Sequence, residues 1–224
     1  LISMLCGGVL AAFFGFLVGL PALRLKGDYL AIVTLAFGEI VRTVFKNLPW
    51  FGKAMGLSTN AVKFTKKDFP LFIVVFITVL VVLFFVQNLV RSKHGRAITS
   101  IRDNEIAAKA MGINVTYYKL FVFIISAFFA GVAGVIYGAG VSPVEYSAFD
   151  YNYSIEILVM VVLGGMGSIN GSIIAATLVT VLDVKLQTIL TGDLAVLQDL
   201  LYALVLIVLV IYNNAPALKN FRET

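Results

Sequence analysis

The 224-residue chain is 60% hydrophobic and 13% charged, with a net charge of +5 and a mean hydropathy of +0.99. Soluble domains are about 45–50% apolar and about 25% charged, so this composition excludes a soluble globular domain and indicates a polytopic membrane protein. The single cysteine, Cys6, excludes an internal disulfide, and the single histidine, His94, excludes a histidine-based metal cluster. The sequence contains no basic stripe interleaved with aromatic residues, the pattern that is typical of a nucleic-acid-binding protein.

The chain starts at Leu1, inside an apolar run with no charged segment ahead of it. This is not the pattern of a signal peptide. We therefore expect the beginning of the protein to precede this sequence.

Several apolar segments predict membrane-spanning helices, which need about 20 residues each. Pro21 ends the first, and the second carries two charges, Glu39 and Arg42. The predicted spans are residues 1–20, 29–45, 70–90, 119–140 and 195–212.

Residues 154–182 are too long for one upright span, because a helix of that length measures about 43 Å against a hydrocarbon core of about 30 Å. The run is interrupted at GGMGSINGS, which contains four glycines and Asn170. Glycine is a poor helix former. We expect two half-helices, 154–163 and 171–182, that meet at membrane depth as a re-entrant pair.

Lysine and arginine orient the chain, because cytoplasmic loops are enriched in them. Residues 91–119 carry six basic and two acidic residues, which predicts the cytoplasm, whereas residues 141–153 contain only acidic charges, which predicts the outside. Residues 46–68 carry five lysines, yet alternation places them outside. Charge alone does not decide the side of that loop.

Residues 102–114, RDNEIAAKAMGIN, form a polar segment between two apolar runs. Asp103 is expected to cap a helix over 104–111, with Glu105 near the positive end of the helix dipole and Gly112 at the left-handed stop position. Such a helix is about 12 Å long, too short to cross a bilayer.

The sequence around this short helix leaves two interpretations open. Ile98 and Ile101 lie on one side of an amphipathic lead-in at the membrane surface, and Ala107 and Ala108 keep the helix slim. A slim, capped surface helix suits the groove of a partner protein. The alternative is an ordinary interfacial loop anchored by basic residues.

Glu39 and Arg42 lie one turn apart within a predicted span, where a charge costs at least about 2.5 kcal/mol. They are candidates for a translocation pathway. The alternative is a local ion pair between positions i and i+3.

The glycine-rich break also has two interpretations. A half-helix that starts near Asn170 presents backbone N–H groups to an anion such as a substrate carboxylate. Alternatively, the glycines allow close helix packing, as the small-xxx-small pairs Gly167/Gly171, Gly134/Gly138 and Gly15/Gly19 suggest. The gating or translocation candidates at the break are Gly164, Gly165, Gly167, Asn170 and Gly171.

Three stretches resemble the second permease subunit of bacterial high-affinity branched-chain amino-acid ABC importers: LPALRLKGDYLAIVTLAFGEIVR, GRAITSIRDNEIAAKAMGINVTYYKLFVFIISAFFAGVAGVIYG and SIEILVMVVLGGMGSINGSIIAA. Within the second, EIAAKAMGI is similar to the EAA loop of ABC importer permeases, with Glu105 displaced by one position. The loop between Asn47 and Asn60 departs from the glycine-rich pattern of the family, with Lys53 intruding.

The resemblance implies an all-α polytopic protein, one transmembrane permease domain over residues 1–224, with about five spanning helices and one broken pair. Residues 91–118 would be its cytoplasmic coupling loop, contacting an ATPase through Arg102, Glu105, Ala107, Ala108 and Gly112.

The resemblance also implies the partners. These are a second permease subunit in a heterodimer, two cytoplasmic ATP-binding subunits that carry ATP and Mg²⁺, an external substrate-binding protein, and the lipid of a bacterial inner membrane. The sequence contains no GxxxxGK[ST] phosphate loop. We therefore expect no catalysis and no cofactor or metal in this chain.

Two other functions remain as alternatives. The same architecture serves urea and short amides, and more distant relatives move sugars or nucleosides. A self-sufficient secondary transporter or channel needs an intramembrane ion relay, for which only Glu39 is a clear acid.

Overall fold

The computed structural model describes residues 2–25, 28–49, 56–57, 68–141, 143–165, 167–189, 204 and 207. The chain divides into two compact units, Leu1–Phe149 and Asp150–Thr224. The helices of the first unit are α1 (Ile2–Ala22), α2 (Asp28–Asn47), α3 (Asp68–Arg91), α4 (Lys93–Asp103), α5 (Glu105–Ala110), α6 (Val115–Gly140) and a 3-10 turn at Tyr146–Ala148. The second unit contains α7 (Tyr151–Gly164) and α8 (Ile169–Ile189).

Three helices of the described ranges are long and apolar enough to cross a membrane: Ile2–Ala22, Pro70–Arg91 and Val115–Gly140. They coincide with three of the predicted spans. Helix α2 forms where residues 29–45 predict it, but its crossing remains a prediction because of its charges. The predicted span at 195–212 lies outside the described residues, apart from two isolated positions.

Large apolar side chains cover the outside of these helices. Phe72 and Phe84 on α3 are 66% and 69% exposed. Apolar surface on this scale is incompatible with water but is stable against lipid tails. The all-α membrane fold expected from composition is confirmed.

Helices α1 and α6 pack closely through small residues. A Cβ placed on Gly131 of α6 would lie 2.5 Å from Cβ of Ala11 and 2.6 Å from the carbonyl oxygen of Gly7. In lipid, such close approach provides the packing energy that hydrophobicity provides in water. Among the described residues, a Cβ on Gly134 would meet nothing within 4 Å, so Gly131 and not Gly134 makes the close contact with α1, and the predicted Gly134/Gly138 pair stays a prediction.

Helices α3 and α6 are antiparallel. The rings of Phe85 and Phe129 lie 5.3 Å apart, and Leu71 near the start of α3 reaches the end of α6 at Gly140. The backbones of Leu57 and Val144 exchange two hydrogen bonds of 2.9 Å. The described part of the 46–68 loop therefore lies beside residues 143–149, at the end of the first unit away from α4, in agreement with alternation.

The second unit is a broken helical pair. Helices α7 and α8 contact each other, and because so short a segment joins them they run antiparallel. The break falls where the glycines predict it. Both helices are longer than predicted, since α7 begins at Tyr151 and α8 continues to Ile189. The positions of the glycines predict where the break lies but not how far each helix extends from it.

Candidate functional site: the α4–α5 elbow and the α2 pocket

Asn104 joins α4 to α5 and caps both helices. Its backbone N–H donates to the carbonyl oxygen of Ser100 at 3.0 Å, which closes α4. Its side-chain oxygen accepts hydrogen bonds from the N–H groups of Ile106 and Ala107, both at 3.0 Å. Asn104 therefore satisfies two of the backbone donors that the first turn of a helix leaves open.

The prediction that Asp103 caps α5 is wrong. Asp103 is the last residue of α4, and its carboxylate accepts two hydrogen bonds from Arg102, at 3.0 and 2.8 Å. A cap needs an extended backbone directly before the first helical residue. Asn104 has that conformation, with φ −157° and ψ 101°.

Gly112 ends α5 as predicted. Its φ is +81°, and its N–H donates to the carbonyl of Lys109 while that of Ile113 donates to Ala108, both at 3.1 Å. These two bonds define a Schellman motif, whose left-handed residue is usually glycine. The helix spans Glu105–Ala110, slightly less than the predicted 104–111.

Ala108 lies on the buried face of α5 and is 4% exposed. It forms a small core with Ile101 of α4 and Val115 of α6, covered by Ile113 and Tyr118. Ala108 therefore packs α5 against α4 and α6 and does not face outward.

An ion pair also connects α5 to the membrane helix that follows it. The ammonium of Lys119 on α6 lies 2.6 Å from the carboxylate of Glu105. Both side chains are partly exposed, so the pair contributes little stability, about 0.2–1 kcal/mol. Its consequence is geometric, because the start of α5 is connected to α6.

The exposed surface of α5 carries two charged residues, Glu105 and Lys109, and also apolar side chains. Ile106 and Met111 are 83% and 82% exposed, and Ala107, which shares a face with Met111, is exposed as well. We call Ile106, Ala107 and Met111 the α5 patch. Sequence reasoning missed Ile106 and Met111, although large apolar residues within a polar segment were the available signal.

Glu39 and Arg42 form the ion pair that was one of their two interpretations. Nη1 of Arg42 lies 3.3 Å from both carboxylate oxygens of Glu39. The guanidinium also lies over the ring of Tyr146, 5.8 Å from its centroid, and Lys46 lies over the same ring at 5.4 Å. Such cation–π contacts stabilise by about 0.5–1 kcal/mol at exposed sites.

The Arg42 side chain borders a pocket of about 420 Å³ in the first unit. Ligand pockets typically measure about 300–1,000 Å³ and have mostly apolar walls with a few polar groups. Helix α2, the described residues of the 46–68 loop and the segment before α7 all contribute to the wall. The described lining is Gly38, Val41, Arg42, Phe45, Gly56, Leu57, Val144, Glu145, Tyr146 and Phe149.

The glycines of the break between α7 and α8 bring two backbones into contact. Gly165 and Gly167 have φ of +90° and +103°, which side chains rarely adopt. A Cβ on Gly164 would lie 2.5 Å from the carbonyl carbon of Gly171, and a Cβ on Gly171 would collide with the Gly164 carbonyl oxygen. The backbones of α7 and α8 therefore approach each other most closely at Gly164 and Gly171.

Ser168, which sequence reasoning missed, caps α8. Its Oγ accepts the N–H of Gly171 at 3.1 Å, while Asn170 is exposed on the first turn. One of the backbone donors proposed for an anion is thus already satisfied. This arrangement favours the packing interpretation of the break.

Comparison with known proteins gives a family match over nearly the whole chain. The model of the family described as "Branched-chain amino acid transport system / permease component" matches residues 1–211. The chain is 39% identical over 203 residues to the high-affinity branched-chain amino acid transport system permease protein LivM of Salmonella typhimurium, covering 78% of this chain and 48% of that protein.

More distant relatives include another LivM and a sugar permease. Identity is 33% over 174 residues to a probable branched-chain amino acid transport permease protein LivM of Methanocaldococcus jannaschii, covering 73% of this chain and 50% of the relative. It is 31% over 132 residues to the ribose import permease protein RbsC of Haemophilus influenzae, covering 56% and 40%. The chain spans about half the length of the LivM relatives it matches. No solved structure matches it.

Proposed function

Because the chain belongs to the permease-component family of branched-chain amino-acid transport systems, we propose that it forms part of an ATP-driven importer. In this proposal the protein moves branched-chain, hydrophobic amino acids into a bacterial cell by alternating access across the inner membrane. The names of the LivM relatives support this substrate class.

The proposal divides the work among several subunits. ATP and Mg²⁺ bind to two cytoplasmic ATP-binding subunits, in keeping with the lack of a phosphate-loop motif in this sequence. A second permease subunit completes a heterodimer, and an external substrate-binding protein delivers the amino acid.

The observation that carries the proposal is the construction of α5. A six-residue helix is too short to be stable alone in water, yet this one is capped by Asn104, closed at Gly112 and seated through Ala108. Ile106 on this helix and Met111 directly after it are large apolar residues that are exposed. A pre-ordered helix with an exposed apolar surface binds a groove without paying the ordering entropy again.

The same construction explains how a partner's movement reaches the membrane. Glu105 of α5 forms an ion pair with Lys119 of α6, and Ala108 of α5 packs on Val115 of α6. A displacement of α5 therefore acts on α6, which packs along α1. The ATPase contacts that we propose are made by Ile106, Ala107 and Met111, with Arg102 and Glu105 at the edge.

Replacement of the α5 patch by charge tests this proposal. We expect Ile106→Glu combined with Met111→Glu to abolish co-purification of the ATP-binding subunits and leucine uptake in the assembled transporter, because a groove that receives apolar residues rejects buried carboxylates. The double variant Ile106→Val with Met111→Leu keeps the patch apolar and is the matched control.

The expected result is loss in the first double variant and retention in the control, with equal amounts of both proteins in the membrane. Normal ATPase association in the charged variant would contradict the docking role of α5. Competition of labelled leucine uptake by isoleucine, valine, urea and ribose identifies the substrate class. Competition by urea or ribose alone would contradict the amino-acid assignment.

A further inference from the structure

The wall of the pocket beside α2 contains one positively charged and one negatively charged side chain, and most of its other residues are apolar. Arg42 and Glu145 are the charged residues of its described lining, and the apolar contribution comes from Val41, Phe45, Leu57, Val144 and Phe149. A ligand that matches this lining carries one negative group, one positive group and an apolar body.

Arg42 has a defined position at the pocket wall, set by Glu39 and Tyr146. Its side chain is 27% exposed, Glu39 contacts Nη1, and the ring of Tyr146 lies beneath the guanidinium. A planar guanidinium presents five donors and binds carboxylates in a bidentate manner. Its fixed position lowers the entropy that ligand binding would otherwise cost.

Glu145 supplies the opposite charge. Its Oε2 accepts a hydrogen bond from the hydroxyl of Ser147 at 3.0 Å, and the residue directly precedes the 3-10 turn that carries Tyr146. The pocket therefore receives acceptor oxygens from the 143–149 segment and donors from α2.

We propose that this pocket binds a free hydrophobic amino acid, with its α-carboxylate at Arg42, its α-ammonium at Glu145 and its side chain against the apolar wall. The proposal rests on the proposed function and deepens it by locating a substrate subsite within the chain. A sugar fits less well, because its hydroxyls would lose water hydrogen bonds against these apolar residues.

The position of the pocket agrees with import. The pairing of Leu57 with Val144 places it at the end of the first unit away from α4 and α5. If α5 faces the cytoplasm, the pocket faces the outside. An incoming amino acid reaches this subsite before it crosses the membrane.

A cysteine-protection experiment tests the inference on the assembled transporter in membranes without the binding protein. Cys6→Ser removes the single native cysteine, and Val144→Cys or Phe45→Cys places a reporter in the wall. We expect leucine to slow alkylation of either reporter by a soluble maleimide. Isopentylamine, which lacks the carboxylate, and 4-methylpentanoate, which lacks the ammonium, should need at least about tenfold higher concentrations.

Two substitutions isolate the contribution of Arg42. Arg42→Gln should raise the half-protecting leucine concentration by about tenfold or more. Lys46→Gln removes a neighbouring charge over the same Tyr146 ring but outside the pocket lining, and should leave that concentration within about twofold. The comparison of leucine with its two analogues needs no change at Arg42 and still applies if Arg42→Gln does not assemble.

Several results would overturn the inference: no protection by leucine, protection by either analogue at the same concentration as leucine, or equal effects of Arg42→Gln and Lys46→Gln. Leucine uptake by the Cys6→Ser transporter is measured in parallel. Uptake without protection contradicts only the subsite, whereas a properly assembled transporter that takes up no branched-chain amino acid contradicts the proposed function.

Discussion

At the scale of single residues, Asn104 organises the junction between α4 and α5. One amide side chain accepts two hydrogen bonds from α5, and the backbone of the same residue closes α4. Asp103 and Asn104 are adjacent, and both residue types are good caps. Their order along the chain does not reveal which one leaves the helical conformation, so sequence reasoning placed the cap one residue early.

Replacement of the two residues separately distinguishes these roles. We expect Asn104→Ala to destabilise α5 by about 0.5–2 kcal/mol, because two backbone donors lose their acceptor. Faster hydrogen exchange at the amides of Ile106 and Ala107 measures the effect. Asp103→Ala, which removes only an exposed ion pair with Arg102, is the control and should change exchange at these amides little. The opposite ranking would restore Asp103 as the cap.

At the scale of helices, α1 and α6 show how small residues specify a contact in lipid. Gly131 has neighbours on α1 within 3 Å of a hypothetical Cβ, whereas Gly134, three residues later, has none within 4 Å. Both glycines belong to the same apolar run. The spacing of small residues predicts that such a contact exists, but the rotation of α6 about its axis decides which glycine makes it.

Two glycine substitutions on α6 test this packing. Gly131→Leu should separate α1 from α6 and destabilise the protein by about 1–3 kcal/mol, the usual cost of overpacking. Gly134→Leu has open space and is the matched control, for which we expect a melting temperature at or above that of the parent protein in detergent. Equal losses in the two variants would contradict the observed contact.

At the scale of the whole molecule, the path of the chain through the membrane depends on the second unit. Helix α8 has 21 residues, about 31 Å at 1.5 Å per residue, a length that matches a bilayer core. Helix α8 also contacts α7, and the re-entrant path of this pair stays a prediction. The number of spans, the single permease domain and the side of each loop stay predictions.

Labelling of Lys185 near the end of α8 tests the re-entrant path. In the Cys6→Ser background, we expect Lys185→Cys to react with a membrane-impermeant thiol reagent from the outside, because the hairpin returns to the side from which it entered. Ser147→Cys serves as the outside reference and Thr116→Cys as the cytoplasmic one. Reaction of Lys185→Cys only from the cytoplasm would show that α8 crosses the membrane.

The sequence by itself determined the membrane class, the positions of three apolar helices, the short helix closed by Gly112 and the break near Gly165. These features depend on local composition, helix length and backbone preference, which neighbouring residues specify. The tertiary structure decided that Ala108 faces inward and Ile106 outward. It also decided that Arg42, Glu145 and Tyr146 line one pocket, because that arrangement depends on the packing of segments distant in the chain.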